Sequence, residues 1–132
     1  MVTSYNLFSQ ISSTSINNCD KIYAKIVGVD ITTMAKNYEQ LDSELIVLIN
    51  YASQDSCIEA LIEGYRLQSE LYLAQGSIEN SMASSLNALA IAEKHEQKEV
   101  IPNIYIGMAD AYFENSIYPK AAEYYKLAYK AN

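Results

Sequence analysis

Small and aromatic residues alternate at helical spacing near the end of the chain. Ala109 and Tyr112 precede a polar break at residues 115–116, and Ala121 and Tyr125 follow it. Spacings of three and four residues bring side chains to one face of an α-helix. The pattern therefore predicts two antiparallel helices whose small residues meet at the crossing. The tyrosines fill the remaining volume and keep their hydroxyls in water at the rim.

The same pattern recurs at an offset of forty residues. The aligned pairs are Tyr65 and Tyr105, Ser69 and Ala109, Tyr72 and Tyr112, Gly76 and Ser116, Ile78 and Tyr118, Ser81 and Ala121, and Ala88 and Ala128. A further copy upstream matches only from Tyr38 onwards. A fixed period of this size is typical of stacked helical hairpins, in which each repeat buries its face against the next.

Polar breaks divide the chain into six predicted helices. Their expected spans are 19–36, 38–53, 56–75, 78–95, 99–115 and 118–131. Paired in order, they give approximate repeats at 19–54, 55–95 and 96–132. We therefore predict an all-α domain over 19–132, built as an α-α superhelix of antiparallel helix pairs.

Local signals support these boundaries. Ser56 with Glu59 three residues later is a capping box, which predicts a helix start at Ser56. Gly76 suits the left-handed position that ends a helix. Pro102 and Pro119 each suit a first helical turn, where the missing N–H costs nothing.

Residues 1–18 form a separate, Ser/Thr-rich segment. Its hydroxyl side chains compete for backbone hydrogen bonds and disfavour a continuous helix. Leu7, Phe8 and Ile11 are placed to form one turn that covers the first repeat, so we expect this segment to be a cap. Disorder is the alternative.

Charge and hydropathy exclude two classes of partner. The formal net charge is −7 and the pI is about 4.6, so the chain repels the phosphate backbone and we expect no nucleic acid. The longest apolar run, residues 45–49, is far shorter than the ~20 residues of a membrane-spanning helix. We expect no membrane insertion, no secretory signal and a cytoplasmic location, or a periplasmic one within a longer, membrane-anchored protein.

Side chains with catalytic potential are scattered along the chain. His95 is the single histidine, and it lies in a charged connection where it is a solvated side chain rather than a general base. The four glycines form no phosphate-binding loop. Cys19 and Cys57 have no metal-binding spacing, so we expect two half-buried, reduced thiols. We predict no enzyme activity, no cofactor and no metal.

The repeated residues resemble the tetratricopeptide repeat family. The resemblance rests on Tyr105, Met108, Ala109, Tyr112, Tyr118, Ala121, Tyr125 and Ala128. The preceding copy matches through Tyr65, Ser69, Tyr72, Gly76, Ser81 and Ala88, but Gln68 and Ser85 depart from apolar positions. The family's period is about 34 residues, so forty implies longer helices or connections. This longer variety is similar to the helical sensor domains of bacterial signalling proteins.

The resemblance implies a non-catalytic protein- or peptide-binding module, the interaction or sensor part of a larger signalling protein. In that family the first helix of every pair lines a concave groove. Carried over to this sequence, the groove residues are Tyr23, Ile26, Asp30 and Thr33, then Glu63, Arg66, Glu70 and Leu73, then Asn103, Ile106, Asp110 and Phe113.

Three of these residues are acidic and occupy equivalent positions. Asp30, Glu70 and Asp110 recur at the forty-residue offset. A row of carboxylates on stacked helices attracts a cationic segment, so we predict a peptide that carries Lys or Arg. The alternative is that they are ordinary solvated residues of an acidic protein.

The last helix carries apolar residues on faces that its own partner does not cover. Ala122, Leu127 and Tyr129 are the residues of this end face. A repeat stack needs a polar capping element, so we expect a longer protein, a homodimer through this helix, or both. The alternative function is therefore a dimerisation or assembly module that acts through its end faces without a groove ligand.

Overall fold

The computed structural model describes residues 18–29 and 37–132, and within them the chain is all-α. The first helix, α1, is helical over 18–27. The others are α2 (Tyr38–Gln54), α3 (Ile58–Ala74), α4 (Ile78–Lys94), α5 (Ile101–Glu114) and α6 (Tyr118–Ala131). None of the helices in these ranges is both long and apolar enough to cross a membrane.

Five predicted helix spans are confirmed to within a few residues. The first is not, because α1 ends at residue 27, short of the predicted end at 36. Gly28 and Val29 leave the helix through backbone bonds to Ala24 and Ile26. The remainder of that span, residues 30–36, and the predicted cap over 1–17 lie outside the described residues.

Four helices end in the same turn, at intervals of twenty residues. The N–H groups of Cys57, Ser77, Gln97 and Ile117 donate to the carbonyls of Ala52, Tyr72, Ala92 and Tyr112, at 2.8–2.9 Å. The preceding residues adopt left-handed φ angles: Ser56 at 53°, Gly76 at 81°, Glu96 at 54° and Ser116 at 61°. This six-residue bond with a left-handed residue inside it is the Schellman motif. Two such intervals make the forty-residue period.

The turn corrects the predicted capping box. Ser56 occupies the left-handed position, and α3 begins two residues later, at Ile58. Cys57 is the N-cap residue and makes no side-chain capping bond. The prediction of Ser56 as a cap is therefore wrong, because the end of α2 uses this residue first. The left-handed role of Gly76 and the first-turn positions of Pro102 and Pro119 are confirmed.

The helices pack mainly against their neighbours in sequence, most closely within the pairs α3–α4 and α5–α6. One core cluster joins α1, α2 and α3 around Ile26, Leu45 and Ile49. A second joins α3, α4 and α5 around Ile62 and Met108. Because α3 contributes to both clusters, it connects the two halves of the described chain.

The small residues predicted at the α5–α6 crossing are buried. Ala109 and Ala121 are 0% and 2% exposed in the α5–α6 pair. The aromatic filling differs from the prediction, because Tyr124 rather than Tyr125 lies between the helices. The Tyr124 ring stacks on Tyr112, with ring centroids 5.6 Å apart. Tyr125 is partly exposed, and its hydroxyl donates to Asp110 instead of remaining free at the rim.

The two cysteines form a disulfide, which corrects the expectation of reduced thiols. Cys19 on α1 is bonded to Cys57 at the start of α3, with a Cα–Cα distance of 5.3 Å. The two residues are 38 apart in sequence, close to one repeat period. In a helical array, residues one period apart lie side by side, which brings the thiols together. The bond fixes α1 to the turn between α2 and α3.

We expect reduction of this disulfide to lower the free energy of unfolding. Closing a loop of this length removes about 4 kcal/mol of chain entropy from the unfolded state. Urea unfolding with and without a reductant measures the difference, and the Cys19→Ser/Cys57→Ser variant is the control that the reductant leaves unchanged. Equal stability of the oxidised and reduced chains would contradict the assignment.

A charge introduced at the α5–α6 crossing is expected to lower the free energy of unfolding far more than the same charge introduced at the next residue in sequence. Ala121→Asp buries an unpaired carboxylate and costs about 3–5 kcal/mol of unfolding free energy. Ala122→Asp is the matched control, since Ala122 is exposed, and it stays within about 0.5 kcal/mol. Thermal or urea unfolding of both variants compares them, and similar losses would exclude the close crossing.

Candidate functional site

Ten of the twelve predicted groove residues fall in the described part of the chain, and nine of these ten reach the surface. They are Tyr23, Glu63, Arg66, Glu70, Leu73, Asn103, Ile106, Asp110 and Phe113. Asp30, together with Thr33, lies outside the described residues. Ile26 had also been placed in the groove, which is wrong. It is 1% exposed and belongs to the core cluster of α1, α2 and α3.

Four of the predicted residues line one cleft between α3 and α5. Arg66, Glu70 and Leu73 come from α3, and Asn103 comes from α5. The cleft has a volume of about 60 Å³, and α4 forms its floor. We call it the serine cleft, and its lining is completed by Ser69, Ser81, Ser85, Ile104 and Gly107.

The floor of the serine cleft is a network of buried hydroxyls. Ser69 Oγ donates to the Ser81 carbonyl at 2.8 Å. It also lies 2.8 Å from Ser81 Oγ and 2.7 Å from Ser85 Oγ. All three contacts can be hydrogen bonds at once only when Ser69 donates to the carbonyl and Ser81 and Ser85 each donate to Ser69. All three hydroxyl protons are thus used within the floor.

The same crossing explains the two departures from the apolar pattern in the second repeat. Ser85 belongs to the hydroxyl network, and Gln68 Oε1 accepts a hydrogen bond from Ser84 Oγ at 3.0 Å. Buried polar groups are tolerated when they are hydrogen-bonded in this way. The α3–α4 crossing is therefore polar, whereas the equivalent α5–α6 crossing is made by alanines and tyrosines.

Charges at the rim of the serine cleft come from α3. Arg66 Nη1 pairs with Glu63 Oε1 at 2.5 Å, one helical turn away. Burial raises the pKa of Glu70 above its usual value, the positive charge of Arg66 opposes the rise, and Glu63 adds to it. Glu70 is exposed as a residue, so its carboxylate is desolvated only in part. A cation bound beside it would favour the charged form.

Tyr23 and Glu63 line a second cleft, of about 380 Å³, between α1, α3 and the connection that precedes α5. Its charged residues are Glu59, Glu63, Glu96, Lys98 and Glu99. Four of these five side chains are acidic, so the cleft has a negative field. Glu63 is also the partner of Arg66, which makes the two clefts neighbours along α3.

The other predicted residues of α5 lie apart from the serine cleft. Asp110 accepts the hydrogen bond from the Tyr125 hydroxyl on α6, and this bond raises the pKa of Tyr125. Phe113 packs edge-on against Tyr118, with ring centroids 5.4 Å apart. Ile106 is exposed without lining either cleft. Glu70 and Asp110 therefore have different partners, and a single functional row of three acids remains a prediction.

The predicted end face is exposed on α6. Ala122 and Leu127 line a depression of about 290 Å³ together with Pro119, Glu123, Lys126 and Lys130. Tyr129 is 84% exposed on the same helix. Within the described ranges, no helix packs against this outer side of α6. Its lysines give it a charge opposite to that of the rest of the chain.

A larger cleft, of about 940 Å³, lies between α1 and α2 and was not predicted from the sequence. Ile22, Leu41 and Leu48 are among its apolar lining residues. Val29 also lines it, next to residues 30–36. None of the described groove residues lines this cleft.

In the described ranges, no cluster of three His, Cys, Asp or Glu side chains is arranged to hold a metal ion. His95 is exposed in the connection after α4. The absence of enzyme activity stays a prediction. Comparisons with protein-family models, with curated proteins and with solved structures found no significant match.

Proposed function

We propose that the chain is a non-catalytic protein-interaction module that binds a peptide or protein segment along the face formed by α1, α3 and α5. The serine cleft is the observation that carries the proposal. It brings together four residues that were selected from two different repeats by their position alone. Packing between consecutive helices and the twenty-residue turn support the view that the hairpins stack as an open superhelix, as in the tetratricopeptide repeat family.

A cationic segment is the preferred ligand. Residues 38–114 carry thirteen acidic and three basic side chains, a formal charge of −10. One of the three basic residues, Arg66, is already paired with Glu63. Such a field attracts Lys- or Arg-containing segments and raises their association rate, more so at low salt. A sensor or recruitment role in a bacterial signalling protein is consistent with this type of module.

Reversing charges at the two clefts should weaken the binding of basic peptides. Glu70→Lys combined with Glu99→Lys is expected to reduce affinity about tenfold, since each exposed charge contributes up to about 1 kcal/mol. Glu44→Lys combined with Glu93→Lys, on α2 and α4, is the control with the same change in net charge. Fluorescence anisotropy against fixed-length Lys-rich and Glu-rich peptide pools measures the effect. Equal binding of both pools would refute the proposal.

Assembly through the end face of α6 is the second candidate. Residues 118–131 carry three lysines and one glutamate, against a strongly acidic 38–114. A two-fold contact between α6 helices would place Lys126 and Lys130 of both copies close together. A contact between α6 and the acidic surface of another copy is electrostatically better, so we favour that arrangement over the symmetric dimer.

Light scattering at rising protein concentration tests this second candidate. The wild-type chain should associate, and Ala122→Glu combined with Tyr129→Glu should remain monomeric because both substitutions lie on the exposed end face. Ala24→Glu combined with Val27→Glu, at exposed positions of α1 outside both the end face and the acidic surface, is the control that should associate like the wild type. A wild-type chain that stays monomeric at every concentration excludes the end face.

The disulfide changes the proposed location. Structural disulfides persist in oxidising compartments and are rare in the cytoplasm. We therefore favour the periplasm or another extracytoplasmic compartment over the cytoplasmic location expected from the sequence. Alkylation of free thiols in intact cells, followed by reduction and a second label, should find Cys19 and Cys57 protected from the first reagent. Labelling of both by the first reagent would restore the cytoplasmic assignment.

A further inference from the structure

The serine cleft has a composition that selects one kind of chemical group. Its floor is made of Ser69, Ser81 and Ser85, which are 8%, 1% and 6% exposed. Leu73 and Ile104 form apolar walls, and Glu70 stands at the rim. An apolar wall above a polar floor suits a ligand with a short hydrocarbon stem and a polar end.

The floor offers acceptors rather than donors. The hydroxyl protons of Ser69, Ser81 and Ser85 are used within the network, as the proton count above requires. The lone pairs of Ser81 and Ser85 remain available, and the Glu70 carboxylate supplies further acceptors. The incoming group must therefore be a donor, and the neighbouring carboxylate favours one with a positive charge.

Size and rim charges narrow the choice to an ammonium group. A volume of about 60 Å³ accommodates a compact head such as –NH₃⁺. A guanidinium is planar and presents its five donors in a rigid fork, which suits a wider, flat acceptor surface. Arg66 is held by Glu63 at 2.5 Å, so its charge is directed along α3 and partly neutralised.

We propose that the serine cleft is a subsite for a primary alkylammonium group, either the side chain of a lysine in a bound segment or a free amine. Leu73 and Ile104 contact the methylene stem, the Ser85 and Ser81 oxygens accept two of the three ammonium protons, and Glu70 accepts the third or neutralises the charge. The proposal deepens the proposed function and rests on it for the peptide-borne ligand.

Gly107 provides a way to block the cleft without damaging the fold. A Cβ added at this position meets no heavy atom within 4 Å, and the residue lies inside α5. Leucine is a better helix former than glycine. Because Gly107 lines the cleft, Gly107→Leu adds a four-carbon side chain at its wall, and the substitution should keep or raise the thermal stability of the domain.

The experiment is an NMR titration of the full chain with n-butylammonium chloride, with n-butanol and n-butylguanidinium as comparison probes. We expect saturable amide shifts at Ser85, Asn103 and Gly107 for butylammonium and much weaker binding of the other two. Ser85→Ala should weaken binding about tenfold, the value of one hydrogen bond to a charged group. Ser84→Ala is the matched control, because the Ser84 hydroxyl bonds Gln68 outside the cleft.

A host peptide of Gly and Ser with one central Lys, and the same peptide with acetyl-lysine, form the second arm. The lysine peptide should shift the same amides, and Gly107→Leu should abolish binding of both amine probes.

Three outcomes would overturn the ammonium subsite. They are equal affinity of Ser85→Ala and Ser84→Ala, binding that survives Gly107→Leu, and amide shifts spread over the acidic surface. If basic peptides still bind in that event, the ammonium subsite is refuted but the proposed function remains valid. If butylammonium saturates the cleft but no peptide binds, the site takes a free amine and the proposed function fails.

Discussion

The backbone bond that closes α2, α3, α4 and α5 sets the geometry of the molecule. An N–H reaches back five residues to a carbonyl, and the residue before it is in the left-handed conformation. Three of the four left-handed residues are not glycine, so the turn is adopted although it costs about 1–2 kcal/mol at each such position. Because the turn recurs every twenty residues, consecutive helices have similar lengths and reverse direction at matching points. Small residues then meet at equivalent places in successive hairpins.

The two best-defined hairpins use this shared geometry with different chemistry. In the α5–α6 pair, Ala109 and Ala121 are buried, and the rings of Tyr112 and Tyr124 stack across the two helices. In the α3–α4 pair, serines meet instead, and their hydroxyls satisfy one another. A buried polar crossing is stable only when every proton has an acceptor, and the lone pairs that remain belong to serines that line the cleft between α3 and α5. The functional proposals for the serine cleft follow from this difference between otherwise equivalent crossings.

Helix positions were predictable because the pattern that recurs at an offset of forty residues and the turn residues can both be read directly from the sequence. The exceptions arose where another part of the structure determined the role of a residue. Ser56 carries a capping sequence, but the preceding helix uses it as its left-handed terminus. Cys19 and Cys57 showed no motif, since their proximity comes from stacking one period apart. In the candidate site, the predicted exposure is found for all the described groove residues except Ile26, which is buried. The pairing of Asp110 with Tyr125 was not predictable, because it depends on how α6 packs against α5. The serines of α4 were absent from the predicted groove because only first helices were considered.

Native-state hydrogen exchange tests the recurring turn most directly. The amides of Cys57, Ser77, Gln97 and Ile117 lie outside the helices, yet each is bonded to a carbonyl of the preceding helix. We predict that these four amides exchange about as slowly as amides inside the helices, with the same spacing of twenty residues. The neighbouring amides of Lys98 and Glu99, in the longer α4–α5 connection, should exchange much faster. Unprotected exchange at two or more of the four positions would contradict the account of the fold and, with it, the placement of the serine cleft.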